Sequence, residues 1–225
     1  KKAVLNCFNG KWFYRGYDGA GSPIGDKPLF LEHHTWLLIS RILPDDAAAA
    51  VVKHIYEILD APSKFGQYVL YPPQNPMLNT YIRGWDVNGG VWFAMNYLLS
   101  WGYGYYDREK AWASLAKNSM ALKSQVDPNI WYGVWSGPDS FNADYAPRPG
   151  ETYYLLPTPS TDFPVMNLNR HACHVAALMR LCGLEPRPDG AISNPLLPFT
   201  GFNLETPSFS LECKNGASTF IRKSC

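Results

Sequence analysis

The sequence has no long apolar run and no excess of charge of one sign. No stretch approaches the roughly 18 consecutive apolar residues that a membrane-spanning helix needs. Lysine and arginine together number 20 against 19 aspartates and glutamates, a formal net charge of +1, and the basic residues are scattered along the chain. Proteins that bind nucleic acid usually concentrate basic residues in a patch. We therefore expect neither a membrane span nor a nucleic-acid partner.

The first residues also lack the features of a secretion signal. They read Lys-Lys-Ala-Val-Leu-Asn-Cys, with no initiator methionine and no apolar segment followed by a small-residue cleavage site. We expect the chain to be an internal part of a longer or processed polypeptide. Its location, secreted or periplasmic among the alternatives, stays open.

Motifs for metals, redox chemistry and nucleotides are scarce. The five cysteines include no Cys-x-x-Cys pair, which argues against zinc-ribbon and thioredoxin-like proteins. Cys173 and Cys182 fall on an apolar predicted helix, so we expect buried thiols there, and a disulfide among the other three cysteines stays open. Glu32, His33 and His34 are consecutive, so their side chains diverge on a helix, and no third ligand stands at a suitable spacing. With the P-loop and dinucleotide fingerprints also absent, we expect no metal and no cofactor.

Aromatic residues, by contrast, are abundant at 15 %, with 14 tyrosines and 8 tryptophans. Residues 81–106 concentrate them beside an Asn-Gly-Gly turn (88–90) that opens a predicted helix. Glycine at such a turn permits a positive φ and a close approach of the backbone to a ligand. Flat aromatic faces beside amides and a carboxylate suit a sugar ring, whose C–H face is apolar and whose rim is polar. The candidate sugar-binding residues are Trp85, Asp86, Asn88, Trp92 and Asn96; the alternative is an aromatic-lined core helix that Asp86 caps.

Hydrophobic periodicity organises the chain into helices separated by long loops. It predicts helices at about 32–42, 45–61, 91–100, 107–124 and 167–181. The loops 62–82 and 127–165 are long enough to be functional or to join domains. After residue 190 short strands follow, with a hairpin signal at Lys-Asn-Gly. We predict a mainly α fold, an (α/α) toroid half or fragment of an (α/α)6 barrel over 1–190, followed by the start of a C-terminal β segment over 191–225.

Several segments, in the same order along the chain, resemble glycoside hydrolase family 94. They are Trp-Phe-Tyr-Arg-Gly-Tyr-Asp-Gly-Ala-Gly-Ser-Pro-Ile-Gly (12–25), Leu-Phe-Leu-Glu-His-His-Thr-Trp-Leu-Leu-Ile-Ser (29–40), Asn-Gly-Gly (88–90), Ser-Gly-Pro-Asp (136–139) and the proline-rich 183–198. That family contains cellobiose and chitobiose phosphorylases and the phosphorylase part of cyclic β-1,2-glucan synthases. The resemblance implies a carbohydrate-active protein whose partner is a β-glucan-type oligosaccharide.

The departures from the family pattern concern its catalytic groups. The Gly-Asp-Trp-Asn-Asp stretch that carries the family's general acid is absent from these residues. Val87 and Ala94 stand where the resemblance implies a substrate-binding Glu and a phosphate-binding His. Without those ligands, we expect hydrolysis rather than phosphorolysis.

The same region is similar to inverting glucosidases with an (α/α)6 barrel. Their pattern matches at Gly89, Trp92, Asn96, Tyr97 and Leu98. In those hydrolases a catalytic base follows roughly forty residues later, and inversion needs one acid and one base. The resemblance therefore directs attention to Asp139 first and Glu151 second as catalytic residues, with Trp135 as a neighbouring substrate contact. The alternatives are that Asp139 caps a turn and that Glu151 is a solvated loop residue.

Four further residues are candidates for contact with sugar hydroxyls: Arg15, Asp18, Glu32 and His33. For Arg15 and Asp18 the alternative is a structural ion pair, and for Glu32 and His33 it is a hydrogen-bond network at a helix start.

Two candidate functions follow from the sequence as a whole. The first is an inverting glycoside hydrolase, and the second is a catalytically silent structural or sugar-binding relative that forms homo-oligomers. As an alternative to a homo-oligomer, the expected partner is the N-terminal half of the barrel, which these residues do not contain.

Overall fold

The computed structural model describes residues 1–74, 82–119, 140–147, 149–150, 168–188, 190–215 and 217–223. Its helices are α1 (Lys2–Leu5), α2 (Glu32–Ser40), α3 (Asp45–Ile55), α4 (Phe93–Gly104), α5 (Arg108–Lys117) and α6 (Leu168–Leu181). A single π-helical turn, Tyr56–Asp60, continues α3.

Helix α4 lies at the centre of the helical core. It packs against α2, α5 and α6, and Tyr97, Leu99 and Tyr103 on it are fully buried. Gly102 allows the close approach to α2, because a Cβ at this position would lie 2.9 Å from Cβ of Leu38. The composition of α4 explains why the helix is central, because a helix that is apolar on all sides is stable only when other elements surround it.

Helices α3 and α5 begin where their sequences predict, whereas α5 ends at Lys117, before the predicted end at about residue 124. Asp45 and Asp46 occupy the first turn of α3, where the helix dipole favours negative charge. The side chain of Asp107 accepts a hydrogen bond of 2.9 Å from the backbone N–H of Lys110 at the start of α5, which is a typical N-cap contact.

Four very short strands, whose partners are far apart in sequence, line up beside the helical core. In this ladder β3 (Leu29–Phe30) pairs with β4 (Leu70–Tyr71), and β5 (Val91–Trp92) pairs with β6 (Ser140–Phe141), all antiparallel. The two pairs are joined because Leu31 N–H donates to Val69 O (2.8 Å), Val69 N–H donates to Gly90 O (2.8 Å), and a bridge links residues 68 and 91. Upstream, β1 (Gly16–Tyr17) and β2 (Pro23–Ile24) form a separate hairpin.

The C-terminal part is antiparallel β structure. A hairpin of β7 (Leu184–Arg187) and β8 (Gly190–Ser193) follows α6, and β9 (Gly201–Glu205), β10 (Phe209–Lys214) and β11 (Ala217–Arg222) form a three-stranded sheet in the order β11-β10-β9. Cys182, Leu184 and Leu211 are the buried residues of a small second apolar cluster beneath this sheet. A boundary at residue 190 stays a prediction.

The predicted mainly α toroid half is wrong. Among the described residues, helices account for 37 % and strands for 20 %, and the strands form several small antiparallel sheets. The β structure is also not confined to the ends, since β3 to β6 lie between the helices. Two-residue strands carry no alternation of apolar and polar residues, so a periodicity argument has nothing to detect in them.

The structure also bears on two other expectations, which concern a membrane span and the cysteines. Among the described helices, none combines the length and apolar character that crossing a bilayer requires. The four cysteines in the described residues, Cys7, Cys173, Cys182 and Cys213, are all free thiols. Cys182 is buried as expected, whereas Cys173 is only partly buried.

Candidate functional site

The Asn-Gly-Gly turn lies within a compact loop from Gly84 to Gly90. Gly84 N–H donates to Asn88 O (2.8 Å) and Gly90 N–H donates to Asp86 O (2.9 Å). Gly89 has a φ of 101°, a conformation that residues with a Cβ rarely adopt. A Cβ on Gly90 would lie 2.5 Å from the backbone N of Asp86. The glycines are therefore required by the fold of this loop.

The polar side chains of this loop bond to the protein itself. Asp86 Oδ1 accepts a 2.7 Å hydrogen bond from Nε1 of Trp92, and Trp85 donates its indole N–H to Pro147 O at 3.1 Å. The Asn88 amide holds the backbone of Gln74, accepting from its N–H (2.8 Å) and donating to its C=O (2.9 Å). Asp86 and Trp92 are thus in direct contact, and the bonds of Trp85 and Asn88 tie the loop to residues before and after it.

Asn96 lies deeper, in a fully buried amide network. It accepts a 2.5 Å hydrogen bond from the backbone N–H of Gln67 and donates 3.0 Å bonds to the carbonyls of Gln67 and Trp92. The Gln67 side chain in turn contacts Asn118 and Ser114 at 2.9 and 3.0 Å. Asn96 is fully shielded from solvent, so its visible role is to fix the backbone before β4.

The N-terminal candidates form a second group, at the start of α2. Arg15 pairs with Glu32 (Nη2 to Oε2, 3.3 Å), and its guanidinium lies over the Phe30 ring. Asp18 instead accepts hydrogen bonds from the backbone N–H groups of Ala20 and Ser22. Arg15 therefore forms an ion pair with Glu32 and not with Asp18, as the alternative had it. The side chain of Asp18 closes a tight turn.

The two histidines of α2 are largely withdrawn from solvent. His34 accepts at Nε2 from Phe13 N–H (3.0 Å), so its Nδ1 carries the proton and donates to Phe30 O (2.6 Å). Burial holds the pKa of His34 well below its usual value, and the neighbouring His33 adds to this effect. Burial also lowers the pKa of His33, whose Nε2 lies 2.9 Å from Phe13 O. Both rings are neutral at pH 7 in this environment.

The remaining candidates, Trp135, Asp139 and Glu151, lie outside the described residues. Asp139 directly precedes β6 in the sequence. Its role and that of Glu151 stay predictions.

A groove lined by three tyrosines opens beside the ladder of short strands. This tyrosine groove has a volume of about 430 Å³ and is lined by Glu57, Ile58, Pro62, Tyr68, Tyr71, Asp144 and Tyr145. The rings of Tyr68 and Tyr71 are stacked with centroids 5.9 Å apart, and Tyr145 meets both edge-on at 5.1 and 5.7 Å. Tyr68 and Tyr71 come from the β4 strand region, and Tyr145 follows β6, so the strand pairing brings the rings together.

One carboxylate in the tyrosine groove is oriented by a phenol. The Tyr68 hydroxyl donates to Oδ1 of Asp144, and Asp144 is partly buried. Burial raises the pKa of Tyr68, and the hydrogen bond to Asp144 raises it further. Burial likewise raises the pKa of Tyr145, whose hydroxyl donates to Gly89 O at 3.1 Å. Both phenols therefore stay protonated, and among the described residues the second oxygen of Asp144 has no hydrogen-bond partner.

A second depression continues the tyrosine groove. This arginine pocket has a volume of about 530 Å³ and is lined by Tyr71, Pro73, Ile82, Arg83, Tyr145 and Pro147. It shares Tyr71 and Tyr145 with the tyrosine groove, and of its described lining residues Arg83 is the one that carries a charge. The two depressions thus present carboxylates at one end, aromatic rings in the middle and a cation at the other end.

Sequence reasoning did not select the residues of these depressions. Tyr68 and Tyr71 lie in the long loop 62–82, and Asp144 and Tyr145 lie in 127–165. The length of these two loops was the feature of the sequence that indicated a functional role for them. Individual residues were not identifiable because their convergence depends on strand pairing between distant segments.

Comparison with known proteins gives one relationship. No family model matches the chain. The chain is 25 % identical over 172 residues to a 3-O-β-D-glucopyranosyl-β-D-glucuronide phosphorylase of Paenibacillus borealis. This similarity supports a relationship with glycoside phosphorylases. The match covers 67 % of this chain but 22 % of the relative, so the chain spans about a fifth of that protein's length.

Proposed function

We propose that this protein is carbohydrate-active and that the tyrosine groove binds a β-linked glucosyl unit. The observation that carries the proposal is the placement of two exposed rings, Tyr71 and Tyr145, in one groove with the carboxylate of Asp144, which the hydroxyl of the buried Tyr68 orients. Tyrosine faces pack against the C–H face of a sugar, and a carboxylate accepts hydrogen bonds from its hydroxyls. The similarity to a phosphorylase that acts on a glucosyl disaccharide supports this ligand class.

The arginine pocket supports a specific second sugar. Because Arg83 is a cation beside two tyrosine rings, it suits a sugar that carries a carboxylate. The relative's name specifies a glucuronide as the unit that bears the glucosyl group. We therefore assign the glucosyl unit to the tyrosine groove and a uronate to the arginine pocket.

The acceptor in the reaction follows from two aliphatic side chains. Val87 is exposed and Ala94 is partly buried in the first turn of α4, and neither side chain can donate a hydrogen bond to phosphate. A phosphate dianion needs several charge-assisted donors. We therefore propose that water is the acceptor and that Asp139 and Glu151 divide the two roles: one carboxylate takes a proton from the attacking water, and the other, as a carboxylic acid, protonates the departing glycosidic oxygen, with inversion at the anomeric carbon.

Binding tests the groove directly. Tyr71 and Tyr17 are similarly exposed, at 40 % and 49 %, and Tyr17 lines neither depression, so Tyr17→Ala is a matched control for Tyr71→Ala. We expect Tyr71→Ala to weaken binding of the glucosyl-glucuronide disaccharide, measured by calorimetry, by about 0.5–1.5 kcal/mol. Tyr17→Ala should leave the affinity unchanged. Equal affinities for the two variants would contradict the assignment.

The same assay separates the two sugar positions. Arg83→Gln should weaken binding of the glucuronide disaccharide and leave binding of the neutral glucosyl-glucose analogue unaffected.

The products of the reaction distinguish hydrolysis from phosphorolysis. Glucose formed at a rate independent of phosphate supports hydrolysis, whereas glucose 1-phosphate formed in proportion to phosphate would refute it.

A sugar-binding relative without activity is the second candidate. It is favoured by the internal use of the predicted substrate contacts, since Trp92, Asn88 and Asn96 all bond to protein groups. Disaccharide binding that depends on Tyr71, together with no product in either assay, would select this candidate.

A further inference from the structure

A third depression, which we call the helical groove, lies between α3 and the α4–α5 corner. It has a volume of about 580 Å³ and is lined by Asp45, Ala49, Val52, Lys53, Tyr56, Glu57, Tyr105, Tyr106, Asp107 and Lys110. Three of these side chains are tyrosines, as in the tyrosine groove. None of the sequence arguments selected this surface.

Glu57 lines both the helical groove and the tyrosine groove. It lies in the π-helical turn after α3, where Ala61 N–H bonds to Tyr56 O at 2.7 Å. A π turn spreads successive side chains differently from an α-helix, and such turns are frequent at functional sites. Here the turn leaves Tyr56 and Glu57 both exposed, one in the helical groove and the other at the border of the two grooves.

The charges of the helical groove suit a neutral hydroxyl-rich ligand. Its carboxylates are Asp45, Glu57 and Asp107, and its cations are Lys53 and Lys110. Acceptors and donors are therefore interspersed, which matches hydroxyl groups that both donate and accept. The Lys110 ammonium, which is paired with Asp107, lies over the Tyr56 ring at 4.9 Å from its centroid. Tyr56 nevertheless remains 40 % exposed, so the ring is held on one face and still reaches solvent.

We propose that the arginine pocket, the tyrosine groove and the helical groove form one track for an extended carbohydrate chain. Neighbouring sections share lining residues: Tyr71 and Tyr145 at one junction and Glu57 at the other. The track rests on the proposed function of the tyrosine groove and extends it from a disaccharide to a longer β-linked glucan. In it, Tyr56 stacks against a sugar unit beyond those held at Tyr71 and Arg83.

Affinity as a function of chain length tests the track. The probes are a β-linked glucose disaccharide and a hexasaccharide of the same linkage, titrated into the purified protein. The hexasaccharide should bind more tightly than the disaccharide. Tyr56→Ala should remove about twofold to tenfold of hexasaccharide affinity and leave disaccharide affinity unchanged. Tyr56→Phe keeps the ring and should behave as the parent, and Tyr17→Ala controls for the loss of an exposed tyrosine.

The outcomes distinguish the track from the proposed function. Equal affinities of the parent protein for the two probes, with disaccharide binding that depends on Tyr71, would overturn the track and leave the tyrosine groove as proposed. An equal effect of Tyr56→Ala on both probes, or none on the hexasaccharide, would also overturn it. Failure of both probes to bind would overturn the track, and failure of the glucosyl-glucuronide disaccharide to bind as well would overturn the proposed function with it.

Discussion

The buried amide of Asn96 offers the sharpest test of how the site is held. Its side chain satisfies both the N–H and the C=O of Gln67, and these groups are shielded from water. Asn96→Leu is close in volume, so it removes the hydrogen bonds without leaving a large cavity. Each buried backbone group left without a partner costs about 1–3 kcal/mol. We therefore expect the free energy of unfolding to fall by about 2–5 kcal/mol.

Urea denaturation measures this change, and Asn203→Leu is the control. Asn203 is exposed on β9, so the same substitution there should change the stability by less than about 0.5 kcal/mol. The Asn96 variant should also lower the melting temperature by roughly 4–20 °C for a chain of this size. A loss below about 1 kcal/mol in Asn96→Leu would refute the reasoning, because it would show that water or a rearranged loop satisfies the Gln67 backbone.

Two further predictions concern groups withdrawn from solvent. Burial lowers the pKa of His34 in the folded state, so the unfolded chain binds more protons below about pH 6.5 and stability is lost as the pH falls through that value. The pH dependence of the unfolding free energy should be shallower in His34→Gln, and an unchanged slope would contradict the neutral, buried ring. Burial also raises the pKa of Cys182 to about 11, with a contribution from Cys213. Iodoacetamide at about pH 8 should therefore alkylate Cys7 before Cys182, as read by peptide mass mapping; equal rates in native and urea-unfolded protein would argue against burial.

The sequence predicts the helices well because their signals are local. The periodicity and acidic first turn of α3 and the cap at Asp107 involve residues within one or two turns of each other. The start of α4 was expected at residue 91 and lies at Phe93, because Val91 and Trp92 pair with Ser140 and Phe141 instead. Strand pairing over such distances leaves no local trace.

In the candidate site, too, local sequence signals predicted one part, and pairing between distant segments formed the other. The loop from Gly84 to Gly90 was predicted from its glycines and aromatic residues, and hydrogen bonds between Gly84 and Asn88 and between Asp86 and Gly90 do close it into a compact turn. Tyr71 and Tyr145, by contrast, meet only through pairing across the ladder of β3 to β6. The internal hydrogen bonds of Asn88 and Asn96 were equally hidden, since an amide in a sequence gives no indication of whether a ligand or the backbone will bond to it.

The ladder of two-residue strands has a consequence for how the grooves form. Tyr71 and Tyr145 are brought together by segments near residues 30, 70, 91 and 141. Contacts between such distant segments carry a large loop-closure entropy and therefore form late in folding. No short peptide cut from this chain would carry the tyrosine groove, because its lining residues run from Glu57 to Tyr145. Because Leu29, Val91 and Phe141 of the ladder are also buried residues of the helical core, loss of any one segment, by local opening or by proteolytic cleavage, would separate the rings and open that core as well.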